Sequence, residues 1–120
     1  MTQQTISTSS RINRRRSRRC PVRSDVRLEC RKGSLGLGRN LAVAAVDLSE
    51  TGVRLVVQEP LTPGEEVELL LSGAGMSVPV KRVAKVRWSQ ALVNGGHCVG
   101  VDFENALPYA ECRRLTKSFK

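Results

Sequence analysis

The chain has 120 residues and a formal net charge of +9, which is room for one domain with one core and excludes a multidomain machine. Apolar residues make up 40% and aromatic residues only 3%, so the core is built mainly from Val, Leu and Ala, and a stacked aromatic platform for nucleic-acid bases is not expected. The charge is local: residues 11–39 hold ten Arg and one Lys against Asp25 and Glu29, whereas residues 40–120 hold nine basic and nine acidic side chains. One arginine cluster joined to an otherwise neutral domain implies a localised anionic partner.

Residues 1–10 (MTQQTISTSS) are mostly Thr, Ser and Gln, with no charged side chain, no basic n-region and no apolar h-region. They read as disordered rather than as a secretory signal, and a cytoplasmic location is expected. The run Arg11–Arg19 (RINRRRSRR) repels itself and needs an anion to settle. The division read from this is a disordered arm over residues 1–13 and a domain over residues 14–120.

From Val26 the texture changes. Val26, Leu28 and Cys30 alternate with Arg27, Glu29 and Arg31, the period of two of a half-buried first strand. GSLGLGRN (33–40) reads as a turn, and LAVAAVDL (41–48) and VRLVV (53–57) read as two strands joined by a short loop. PLTPGEE (60–66) and SGAG (72–75) bracket another strand from Glu66 to Leu71. VPVKRVAKVRW (78–88) alternates in two sets, Val78 and Val80 in one and Ala84, Val86 and Trp88 in the other, both even-numbered. Val83 is out of step and Arg82 stands where an apolar residue is expected, which predicts a bulge near 82–83. NGG (94–96) is a turn, and Val99, Val101 and Phe103 then alternate in a last strand. From Asn105 the pattern is helical: Asn105 as cap, Pro108 in the first turn, and Leu107, Ala110, Leu115 and Phe119 at helical spacing. The sum is an all-β fold with a terminal helix, a six-stranded antiparallel barrel followed by one C-terminal helix.

Catalysis is hard to build from these residues. Cys20, Cys30, Cys98 and Cys112 form no CxxC pair and have only His97 to complete a metal site, so neither a zinc module nor a disulfide framework is expected. The chain has no GxSxG elbow and no phosphate loop ending in Lys-Ser or Lys-Thr. His97 and Cys98 are neighbours on a strand and point to opposite faces, so they do not form a nucleophile and base. Glu65, Glu66 and Glu68 follow a Pro-Gly turn and read as a solvated strand rim. No enzyme is expected, no cofactor, and no membrane insertion, since the longest apolar run has six residues.

Two elements remain that can bind. Arg15 and Arg19 stand four apart just before the first strand, each with a planar fork of donors suited to phosphate oxygens or a guanine edge, although arginines four apart also occur at 11/15, 14/18, 19/23, 23/27 and 27/31. Asp47-Leu48-Ser49-Glu50-Thr51-Gly52 lies at a strand end, where Asp47 can accept from the N1 and N2 donors of guanine, Ser49 can bond a base edge or phosphate, and Gly52 lets the backbone turn or approach a ligand closely. By itself the first element is equally a nonspecific basic arm, and the second equally an Asx-turn with a Ser cap.

Taken together, RxxxR at Arg15–Arg19 and DxSxxG at Asp47–Gly52 resemble the signature of the PilZ domain family. RVAKVRW (82–88) is similar to that family's strand ending in Trp, and VGVDF (99–103) to its last barrel strand. The resemblance implies a six-stranded antiparallel barrel with a C-terminal helix and cyclic di-GMP as ligand, in bacterial second-messenger signalling. It implies that Arg15 and Arg19 grip phosphate and guanine edges, that Asp47 and Ser49 read a guanine, that Gly52 shapes the loop, and that Arg14 adds a contact. With 120 residues occupied by arm, barrel and helix, output is expected through an unidentified effector protein in motility, polysaccharide or biofilm control, with the ligand ordering the arginine arm. The rival readings are a nucleic-acid-binding barrel with a basic arm and a ligand-free PilZ-like interaction module.

Overall fold

Runs of alternating Val and Leu, broken by Gly-rich and Pro-rich turns, can bury one face only by pairing edge to edge and curling. The computed structural model describes residues 19–33, 35, 37–73 and 75–117. Within them the strands are β1 (Cys20–Pro21), β2 (Arg27–Lys32), β3 (Ala42–Leu48), β4 (Gly52–Val57), β5 (Glu66–Ser72), β6 (Val80–Ala91) and β7 (His97–Phe103), followed by one short helix, α1 (Tyr109–Leu115). All pairings are antiparallel, in the order β1-β3-β4-β7-β6-β5-β2. The sheet curls until β2 meets the start of β3, where the Leu41 amide donates to the Cys30 carbonyl (2.7 Å) and the Cys30 amide donates to Asn40 Oδ1 (2.9 Å).

The inward faces supply an aliphatic core. Leu48, Val53, Leu55, Val57, Val67, Leu69, Leu71 and Val99 are fully buried, and Leu107, Cys112 and Leu115 join the same cluster from the C-terminal segment. Burial pushes the Cys30 thiol up to about 12, helped by Glu65, and the Cys112 thiol up to about 11, helped by Glu50 and Cys20. The six expected strands are all present. The two residues Cys20–Pro21 add a seventh that alternation over so short a span could not announce, opposite Leu48 and Asp47.

Two expectations are corrected. The bulge does not fall at 82–83, since β5 pairs with β6 without a break from Glu66↔Lys85 to Leu71↔Val80. Arg82 keeps its inward phase because its guanidinium finds carbonyls there: Nε donates to Asn105 (2.9 Å) and Nη2 to Ala106 (3.3 Å). The irregularity lies instead between Val86 and Trp88, at Arg87. The helix is also shorter than the pattern from Asn105 predicts. Residues 104–108 run non-helically, held by Arg82 and by the Leu107 amide on the Glu50 carbonyl (2.7 Å), and Pro108 occupies the N-cap position without a capping side chain. After Leu115 the chain turns extended and pairs Thr116 with Val22. Phe119 and the arm over residues 1–13 lie outside the described residues.

Candidate functional site

The site begins with an irregularity in β3. Its register with β4 slips twice, between Ala42 and Ala44 and between Ala45 and Asp47, so Val43 and Val46 are extra residues in their strand. Each slip reverses the side-chain phase. Ala45 lies opposite buried Leu55, and without the slip at Val46 Asp47 would share that inward face. With it, Asp47 turns to the outer face, opposite Arg54 on β4 and Pro21 on β1.

The register then carries one row across the outer face of four strands: Asp47 on β3, Arg54 on β4, Gly100 on β7 and Trp88 on β6. The slip at Arg87 turns Trp88 outward in the same way, out of the core phase expected for it. Its indole lies over Gly100, where a Cβ would meet Trp88 Nε1 and Cε2 at 2.4 Å.

Asp47 is 7% exposed although it faces outward, because two arginines cover it. Arg54 donates to Oδ2 through Nε (2.8 Å) and also through Nη2, and Arg19 Nη1 donates to Oδ1 at 3.3 Å. The hydrogen bond to Asp47 is the main cause raising the Arg54 pKa above its already high ordinary value. Two guanidinium groups on one carboxylate leave a net positive charge, and both are a little over 40% exposed. Such a face is built to receive an anion.

The turn after β3 supports this arrangement. Ser49 is 2% exposed; its hydroxyl accepts from the Thr51 amide (3.2 Å) and donates to the Gly52 carbonyl (3.4 Å), while the Ser49 amide donates to the same carbonyl (2.9 Å). The loop is bonded outward as well, with the Phe103 amide on the Thr51 carbonyl (2.8 Å). Gly52 is required by close approach and not by an unusual φ: a Cβ there would lie 2.2 Å from the Val101 carbonyl oxygen.

Of the residues singled out in the sequence, the structure brings Arg19, Asp47, Ser49 and Gly52 together, and Arg14 and Arg15 lie outside the described residues. Arg54 and Trp88 were missed. A signal for Arg54 existed: a tight hairpin closing Leu48 on Val53 places residue 47 opposite residue 54. No comparable signal marks Trp88, because only the slip at Arg87 turns it outward.

A barrel of this topology with an arginine and the DxSxxG corner on one outer face defines a class of small antiparallel β domains. The chain matches the model of the PilZ domain over residues 13–118 and belongs to the PilZ domain family. Among solved structures it is similar in fold to the K. pneumonia MrkH–c-di-GMP complex, with a TM-score of 0.56 and 19% identity over 85% of this chain and 49% of the MrkH chain. The match thus spans about half of that neighbour's length. No curated protein matches the sequence.

Proposed function

We propose that this protein is a cyclic di-GMP receptor without catalytic activity of its own, acting in the cytoplasm and signalling through a partner protein. The observation that carries the reading is the meeting of Arg19 with the outward-turned Asp47 of the DxSxxG corner, on a face with surplus positive charge. Membership of the PilZ domain family and the fold shared with a c-di-GMP-bound neighbour support it. In this reading Arg15 and Arg19 grip phosphate and guanine edges, Asp47 accepts from a guanine, Gly52 shapes the loop and Arg14 adds a contact; Ser49, expected to read a guanine with Asp47, is buried with its hydroxyl bonded inside the corner and holds that corner in shape. Residues 14–120 form the binding domain and residues 1–13 the arm.

The energetics suffice. Charge-assisted hydrogen bonds contribute about 1.5 to 3 kcal/mol each, and a micromolar dissociation constant needs about 8 kcal/mol net, so four or five such bonds allow for the cost of ordering. Cys20–Pro21 is paired with β3 and Arg19 bonds Asp47, so the ordering proposed for the arginine arm concerns the segment that precedes them.

The test is isothermal titration with cyclic di-GMP at physiological salt, with GTP and a short DNA duplex as controls. Saturable micromolar or tighter binding of the dinucleotide, weakened less than about tenfold between 50 and 200 mM salt, is expected; a surface touching six to ten backbone phosphates would lose about 10³ to 10⁵ over that range. No heat with the dinucleotide and saturable binding of the duplex would overturn the reading in favour of nucleic acid. Hydrogen exchange adds the second half: amides of residues 11–18 gain protection with ligand, and equal protection in both states would refute the ordering.

A further inference from the structure

Arg54 belongs to the site, yet it is in neither half of the motif, and its contact has a chemical meaning of its own. The Nε–H and Nη2–H of a guanidinium are two donors on the same side of an N–C–N unit. Guanine offers the same pair, N1–H and N2–H, on the same kind of unit. Both are matched to a carboxylate. Here both Arg54 donors go to Asp47 Oδ2, and Oδ1 already accepts from Arg19, so the four lone-pair sites of the carboxylate are reduced to one. A guanine cannot bring both of its donors to Asp47 while Arg54 remains.

We propose that Arg54 is an internal stand-in for guanine: it occupies Asp47 in the ligand-free protein and leaves when a guanine base pairs there, and so it sets the affinity and base specificity of the site. The inference rests on the cyclic di-GMP reading given above. The geometry supplies an exit. Arg54 is about two-fifths exposed, and the next position in its row is Gly100, over which the Trp88 indole lies. The ring next to Arg54 is a surface on which a released guanidinium can rest by cation–π attraction. Specificity follows from the competition. Adenine carries an acceptor at N1 in place of the donor, cannot offer Asp47 the paired donors that Arg54 gives up, and leaves the arginine in place.

When the competent state is only partly populated, apparent affinity falls by that fraction, and an ion pair whose arginine is substantially exposed is worth up to about a fivefold factor. Titration of the full-length wild type, Arg54→Lys and Arg54→Met with cyclic di-GMP measures this directly, with thermal melts to verify folding. Lysine keeps the positive charge and removes the paired donors, which isolates the competition from long-range attraction. The expected result is binding about three- to fivefold tighter in Arg54→Lys than in wild type; should that variant not fold, Arg54→Met decides by the same criterion. Unchanged or weaker binding overturns the inference and leaves the receptor reading standing. Absence of saturable heat in wild type and variants alike overturns the receptor reading itself.

Discussion

Asp47 divides its two oxygens between arginines that reach it from different parts of the chain, Arg19 preceding β1 and Arg54 on β4. Because both arginines are substantially exposed, the pairs contribute about 0 to 1 kcal/mol each to stability, so their value lies in shaping the site. Asp47→Ala and Arg19→Ala are therefore expected to weaken cyclic di-GMP binding at least tenfold by titration while shifting the unfolding free energy by no more than about 2 kcal/mol for Asp47→Ala, which loses both pairs, and about 1 kcal/mol for Arg19→Ala, which loses one. Gly52→Ala is the opposite case. Its Cβ would press on the Val101 carbonyl oxygen at 2.2 Å, and since backbone cannot swing aside, a loss of about 3 kcal/mol is expected in denaturant melts. A Gly52→Ala protein as stable as wild type would show that β4 and β7 can separate freely. At this scale the sequence was informative where a residue type has few other uses: Asp47, Ser49 and Gly52 stand at a corner that has to be tight. Its signal for Arg54 was indirect, since an arginine on the polar phase of a strand is common and only the hairpin register that sets it opposite Asp47 gives it meaning.

Among the elements, the strands were legible from alternation and the turns from Gly, Pro and Asn, as at Asn94–Gly95–Gly96, where Gly95 has a φ of 98° and the Leu92 amide closes on Gly96. The bulges were not. A period-2 pattern predicts which residues share a face only until a residue is inserted, and the insertions at Val46 and Arg87 are what turn Asp47 and Trp88 outward. The helix was overextended for a related reason: Leu107 has helical spacing to Leu115, but its amide is claimed by Glu50 and its neighbours' carbonyls by Arg82. Trp88 on Gly100 gives this level its test. Gly100→Ala places a methyl within 2.4 Å of the indole, which has to lift off the sheet. Trp88 is the single tryptophan, so its emission is expected to shift to the red, with about 1 to 3 kcal/mol lost in stability. Unchanged emission would place the ring elsewhere.

For the molecule as a whole, the aliphatic core makes a prediction at alkaline pH. Burial, the dominant cause in both cases, holds the Cys30 thiol protonated to about 12 and the Cys112 thiol to about 11, while the same thiols in an unfolded chain ionise near 9.0. Below pH 9 both states keep these protons and the thiols add no slope. Above it the unfolded chain releases protons that the folded one retains, so stability falls as pH rises toward 11 and 12. Denaturant midpoints measured from pH 8 to 10.5 are expected to drop more steeply in wild type than in a Cys30→Ala, Cys112→Ala variant, and parallel curves would contradict the assignment.

The tiny strand β1 ties together what the sequence sets far apart. Pro21 lies opposite Asp47, its carbonyl accepts from the Lys117 amide (2.9 Å), and Val22 pairs with Thr116 while the Arg23 amide bonds the Leu115 carbonyl (3.0 Å). The entry to the barrel and the exit from α1 thus form one knot beside the Asp47 carboxylate. In the proposed receptor, a ligand that changes how Arg19 is held acts two residues before the strand that anchors the C-terminal segment, so a reporter beside Lys117 is expected to serve as the indicator needle of its occupancy.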